Sequence, residues 1–267
     1  MKIAEKVVAV TGGGNGIGQQ VVLELLRRGA RVAAADIRGD SLETTLELAD
    51  ARDRISTHML DVREVEAVKA WPESVIAAHG AVDGVVNVAG IIQPFVKLND
   101  LDEETITRVF EVNFYGTLRV VKAFLPLLLE RPVGHIANVS SMGGYLPVPG
   151  QTVYGASKAA VKLMTEGLYA ELLDTNVSVS VVFPGAVATG ITSNSGVDAP
   201  IDVDSPEASS YRTTSPEEAA RIIVDGIEDD QLHIYVGRDA VLMNVLTRAA
   251  PKRSTHLIYR QMKRLLR

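Results

Sequence analysis

The sequence predicts an α/β fold: a single doubly wound domain on a seven-stranded parallel sheet, with a helical extension at the C-terminus. Three observations carry this expectation. Short β-rich runs alternate with amphipathic stretches, a glycine-rich turn joins the first run to the first helical stretch, and no linker interrupts the 267 residues.

The strands are expected at 7–10, 31–36, 55–60, 82–87, 135–139, 177–183 and 232–236. They read as near-continuous Val, Ala and Ile, the pattern of strands covered on both faces, and right-handed crossovers then place helices on both sides. Helices are expected over 19–28 and from Tyr154 towards Leu173. The stretch 194–214 is rich in Ser, Asp, Pro and Gly and has no periodicity, so a connector or a lid is expected there, within a substrate loop 190–214. The domain is expected to span 1–250 and a separate basic tail 251–267.

Composition narrows the function classes. With 46% apolar and 22% charged residues the chain can bury a large core, which excludes a disordered protein. The absence of cysteine excludes a disulfide framework and a thiolate metal site, and fits a cytoplasmic location. The first residues lead straight into a strand without the pattern of a signal peptide, and no uninterrupted apolar run approaches roughly 18 residues. His58, His79, His135, His233 and His256 lack metal-ligand spacing, so no metal is expected.

The net charge of −6 is uneven. Residues 251–267 carry Lys252, Arg253, Arg260, Lys263, Arg264 and Arg267 with no acid, leaving −12 on the rest, a body that repels nucleic acid. Leu257, Ile258, Met262, Leu265 and Leu266 recur at mixed spacings of 3 and 4, which predicts an amphipathic helix. Packing on the acidic body of the same or a partner subunit is the favoured reading, with an anionic membrane surface as the lesser alternative.

After the first strand comes Thr11-Gly12-Gly13-Gly14-Asn15-Gly16-Ile17-Gly18, the spacing T-G-x-x-x-G-x-G. Glycine allows close backbone approach, and a helix N-terminus favours an anion, so strand, glycine turn and helix together read as a dinucleotide loop rather than an ordinary turn. Asp36 follows Gly18 by 18 residues at the end of the second strand, placed to accept hydrogen bonds from the adenosine ribose. A carboxylate there repels a 2′-phosphate, so NAD is expected over NADP, although Arg38 could pair with that phosphate. In Tyr154-Gly155-Ala156-Ser157-Lys158 the i, i+4 spacing puts phenol and ammonium on one helix face, where the cation is expected to favour the phenolate. That pair is also common on ordinary helices.

Taken together, these segments resemble the short-chain dehydrogenase/reductase family over roughly residues 5–237. The motifs recur in order: the loop 11–18, Asp61 and Val62, an N-x-A-G at 87–90, Asn113, Ser140 with Ser141, Tyr154-x-x-x-Lys158, and Pro184-Gly185 before Thr189. The resemblance implies a Rossmann fold, a homodimer or homotetramer, and an NAD(P)-linked oxidoreductase interconverting a largely apolar secondary alcohol and its ketone. It implies cofactor contacts at Gly12, Asn15, Gly16, Ile17, Gly18, Asp36, Asp61, Val62, Asn87, Ala89, Gly90, Tyr154, Lys158, Pro184, Gly185, Val187 and Thr189. Asp61 and Val62 would flank the adenine, 87–90 would support the sheet behind the cofactor, and Val187 with Thr189 would meet the carboxamide. Tyr154 would be the acid/base, Ser141 would hold the substrate oxygen, Lys158 would bond the ribose, and Asn113 would hold a water linking Lys158 to solvent.

Two departures stand out: Val88, where the family commonly has asparagine, and the chain beyond Gly237. The alternatives are an idle NAD-binding sensor or scaffold, and a lyase or epimerase on the same fold. A serine-hydrolase reading fails for want of a G-x-S-x-G elbow. Trp71 is expected to pack, while Gln93, Phe95, Tyr145, Pro147 and Val148 either shape the pocket or pack as loop residues.

Overall fold

The computed structural model describes residues 1–197 and 213–263. Strands β1 (Val7–Thr11), β2 (Arg31–Asp36), β3 (Ile55–Met59), β4 (Gly84–Asn87), β5 (Gly134–Val139), β6 (Val177–Pro184) and β7 (His233–Val236) lie within two residues of their expected limits. They pair in parallel in the order β3-β2-β1-β4-β5-β6-β7, so the chain first winds outward from β1 and then crosses to β4 on its other side. The order reverses between β1 and β4, where the carboxyl ends of the strands open a crevice.

Alternate residues of each strand enter opposite cores, which explains the near-continuous apolar runs. On one face Val8, Val10, Val32 and Ala34 pack with Val21, Val22 and Leu25 of α1 (Gly16–Arg27) and Ile223, Val224 and Ile227 of α8 (Pro216–Glu228). On the other, Val7, Ala9, Ala33 and Ala35 meet α3 (Val65–His79) and α5 (Thr117–Leu129). Trp71 is buried in that second core, edge-on to Phe124 at 4.9 Å, as expected of a packing residue. Helix α2 (Gly39–Leu48) covers β2 and β3.

Helix α4 (Glu103–Phe110) runs into α5 through one π-helical segment, Glu111–Gly116. The combined run Glu103–Leu129 is long and apolar enough by composition to cross a membrane, yet Val109, Val120, Val121, Phe124 and Leu128 are buried in the protein. Helix α6 (Thr152–Glu171) packs on β5 and β6. After β6 the chain makes the short helix α7 (Ile191–Asn194), and Thr214 returns to bridge Val187, so the expected loop leaves and rejoins one spot; 198–212 lie outside the described residues.

Helix α9 (Arg238–Ala249) starts directly after β7 and belongs to the domain: Ala240 is buried, and its carbonyl accepts the Tyr145 hydroxyl at 2.6 Å. Helix α10 (Pro251–Met262) packs on α9 through Ser254 and Ile258. Of the expected stripe, Ile258 is buried, Leu257 is exposed, and Leu265 and Leu266 lie outside the described residues. Lys252, Arg253, Arg260 and Lys263 are exposed.

Candidate functional site

A cleft of about 480 Å³ opens at the carboxyl ends of the strands, over the β1/β4 switch point. Its wall is built from the β1–α1 turn, the ends of β2 to β6, the start of α6 and the chain from Pro184 to Ser195. Gly12, Asn15, Gly16, Ile17, Gly18, Asp36, Asp61, Val62, Ala89, Gly90, Ser141, Tyr154, Lys158, Pro184, Gly185, Val187 and Thr189 all line it.

The turn fits a diphosphate for steric reasons. Gly12 has φ +70, and a side chain there would press the Ala89 nitrogen at 2.9 Å; one on Gly18 would overlap the Gly12 carbonyl. The expected helix start at 19 moves back to Gly16, so the last glycines form its first turn. No side chain caps that turn and no acid lies in it, which leaves its N–H groups and positive dipole end free for an anion. These features fit a dinucleotide.

At the adenosine end the Asp36 carboxylate accepts the Gly14 and Arg38 N–H groups, each at 3.0 Å. Arg38 also lines the cleft. Asp61, expected beside the adenine, is engaged by Arg63: burial pushes its pKa up, but the guanidinium and the Arg63 N–H hold it below the ordinary value. Val62 packs against Gly116 of the π segment, whose Val112 also reaches the cleft. Val112, Arg108 and Ile37 carried no motif in the sequence.

The catalytic candidates converge. Ser141 precedes the turn Met142–Gly144, and its Oγ accepts the Gly143 N–H at 3.0 Å. Tyr154 has a face on the cleft; burial of its hydroxyl raises its pKa, partly offset by a hydrogen bond with Ser141. Lys158 is buried, its Nζ donates to the Val139 carbonyl at 2.9 Å, and burial pulls its pKa down to about 8. Burial is the largest influence on both groups, raising the pKa of the phenol and lowering that of the ammonium. Gly90 is required here, since a side chain would come within 3.1 Å of Lys158 Nζ and 3.2 Å of Asn113 Oδ1.

Two expected site residues do not line the cleft. Asn87 points into the sheet and donates to Asn138 Oδ1 at 2.8 Å; Asn138 in turn donates to Thr165 Oγ1 at 3.0 Å. This polar chain and the Thr11 hydroxyl, which accepts the Val88 and Ala89 N–H groups, brace the sheet where Val88 stands. Asn113 is fully buried in the π segment rather than open to water. Its amide accepts from Ile91 N at 2.9 Å, donates to Ile91 O at 3.0 Å and donates to Ser157 Oγ at 2.9 Å. Gln93 and Tyr145, expected as pocket shapers or loop packing, are tied to α6 and α9 respectively. Asp239, which sequence reasoning missed, accepts the Ala186 N–H at 2.9 Å and so holds the loop after β6.

Residues 6–199 match the short chain dehydrogenase family. The chain is 37% identical over 249 residues to the oxidoreductase SadH of Mycobacterium tuberculosis, covering 91% of this chain and 90% of that one. Among solved structures, a short chain dehydrogenase/reductase from Burkholderia phymatum in complex with NAD aligns with a TM-score of 0.83 and 25% identity, covering 95% of this chain and 96% of that one. A short chain dehydrogenase from Burkholderia cenocepacia in complex with NADP aligns at 0.81 and 28% identity, with 97% and 99% covered.

Proposed function

Because the chain belongs to the short-chain dehydrogenase family and is thus an NAD(P)-dependent oxidoreductase, we propose that it interconverts a largely apolar secondary alcohol and its ketone with Tyr154 as general acid and base. The observation that carries this reading is the meeting of Ser141, Tyr154 and Lys158 on one wall of the cleft, with Lys158 buried. The bound nicotinamide dinucleotide supplies or accepts the hydride. Ser141 donates to the substrate oxygen and polarises it without a change of charge. In reduction the Tyr154 phenol gives its proton to that oxygen; in oxidation the phenolate takes the proton of the alcohol.

Ile91, Ile92, Val187 and Ile191 share the cleft with Ser141 and Tyr154, which supports an apolar substrate. Asp36 supports a preference for NAD. Exposed Leu129 on α5 and Leu163 and Leu173 on or next to α6 support a homodimer or homotetramer. The test is a panel of sterols, retinoids, sugar alcohols and hydroxyacyl thioesters with NAD, followed as absorbance of reduced cofactor in wild type and Tyr154→Phe. The variant should lose at least about 10²-fold in turnover while binding NAD as before. Turnover kept within a few-fold would overturn the assignment of Tyr154.

A further inference from the structure

We propose that Gln93 is a positioning residue for Tyr154, a buried amide on the loop after β4 that sets the first turn of α6. The proposal rests on the reading of Tyr154 as the acid/base.

The opening N–H groups of a helix have no partner within it, and Gln151, at the N-cap of α6, makes no side-chain cap. Gln93 supplies one from a distant stretch of chain. Its Oε1 accepts the Val153 N–H at 2.8 Å and the Tyr154 N–H at 2.9 Å, and its Nε2 donates to the Gly150 carbonyl at 3.0 Å. Gln151 answers by donating its Nε2 to the Gln93 carbonyl at 2.7 Å. The side chain is 0% exposed, and its amide orientation is fixed: the oxygen faces two donors and the nitrogen faces a carbonyl.

The same loop holds the other end of the Tyr154 peptide unit. Ile91 is clamped at both its N–H and its C=O by Asn113, Asn113 donates to Ser157 Oγ, and the Ser157 hydroxyl donates to the Tyr154 carbonyl at 2.7 Å. Tyr154 is therefore held at its N–H by Gln93 and at its C=O through Ser157 and Asn113, and both restraints return to residues 91–93. A displacement of about 1 Å at a reacting group costs up to roughly 10²-fold in rate. An amide that sets this backbone acts on the chemical step without touching the cleft.

The experiment compares wild type, Gln93→Met, Gln93→Glu and Tyr154→Phe on the panel substrate turned over fastest, with NAD affinity measured by calorimetry without substrate. Met matches the length of Gln but lacks its acceptor and donor; Glu keeps the acceptor. Gln93→Met should lower kcat by roughly 10- to 100-fold. Its NAD Kd should stay within about threefold of wild type, and Gln93→Glu should recover most of the lost kcat. A Gln93→Met kcat within a few-fold of wild type overturns the proposal, as does a parallel loss of kcat and NAD affinity with no recovery in Gln93→Glu. If Tyr154→Phe alone is inactive, the proposal fails and the reading of Tyr154 stands. If Tyr154→Phe turns over normally, both fail.

Discussion

Replacing Lys158 by Met should stabilise the cofactor-free protein relative to wild type by an amount that shrinks as pH rises. Burial pulls the pKa of this ammonium from 10.5 to about 8. Below pH 8 it is charged in both states, and the folded protein carries the whole cost of burying it. Between about 8 and 10.5 the folded state releases the proton while the unfolded chain keeps it, so wild-type stability climbs with pH through that window. The gap between the two pKa values corresponds to about 3 kcal/mol at pH 7. About 2 kcal/mol of that is relieved by about pH 9.5. The hydrogen bond from Nζ to the Val139 carbonyl is absent from the variant at every pH, so it offsets the comparison by a constant. Calorimetric melts of both proteins at about pH 7 and about pH 9.5 measure the difference. At about 2–4 °C per kcal/mol, wild type should gain roughly 4–8 °C on the variant between the two pH values. A constant difference, or one that moves the other way, would refute the argument that burial governs this lysine.

The remaining expectations concern the cleft and its supports. Asp36→Ala should shift the ratio of kcat/KM for NADP over NAD upward by roughly 10- to 100-fold; steady-state kinetics with both cofactors test it, and better use of NADP by wild type would place the choice with Arg38. Oxidation should accelerate with pH from about 6 to about 10, because the raised pKa of Tyr154 leaves little phenolate at neutrality; a flat kcat profile would contradict that. Asn113→Ala strands the Ile91 N–H and C=O, at a cost of about 3 kcal/mol, and urea unfolding should show it. Removing residues 251–267 uncovers the face of α9 on which α10 packs, so the melting temperature should fall while turnover survives.

The inner strands were legible because parallel strands covered on both faces need apolar residues at nearly every position, and β1, β2 and β4 have little else, while edge strand β3, with Ser56, Thr57 and His58, shows it least. The glycine turn and the Tyr154–Lys158 spacing were legible because their steric and geometric demands are local. What escaped depends on partners far apart in the chain. Nothing near Gln93 announces that its amide caps a helix beginning at Thr152, and nothing near Asp239 points to Ala186. Asn87 and Asn113 were found, but that their side chains face the sheet and the loop at Ile91 was not legible, since sequence order does not say which face of an element meets the cleft. Burial also bears on the ionisation of Tyr154, and burial is a property of the packed molecule that spacing does not show. Within the domain, α9 is joined to the loops after β5 and β6 through Tyr145 and Asp239, contacts between residues far apart in the chain.

Those two contacts bear on the order in which the protein becomes competent during synthesis. They close across 95 and 53 residues, and both require α9, which follows every strand of the sheet in the chain. At about 5–20 residues per second, N-terminal structure forms well before the end of the chain emerges. The strands and the glycine turn all precede α9, so in a nascent chain that still lacks α9 the loops after β5 and β6 are unlatched. Arrival of Asp239 and Ala240 closes both loops in one event. A chain halted at Gly237 would thus carry every strand of the sheet and every side chain proposed for catalysis, yet hold them beside two loops without these fastenings.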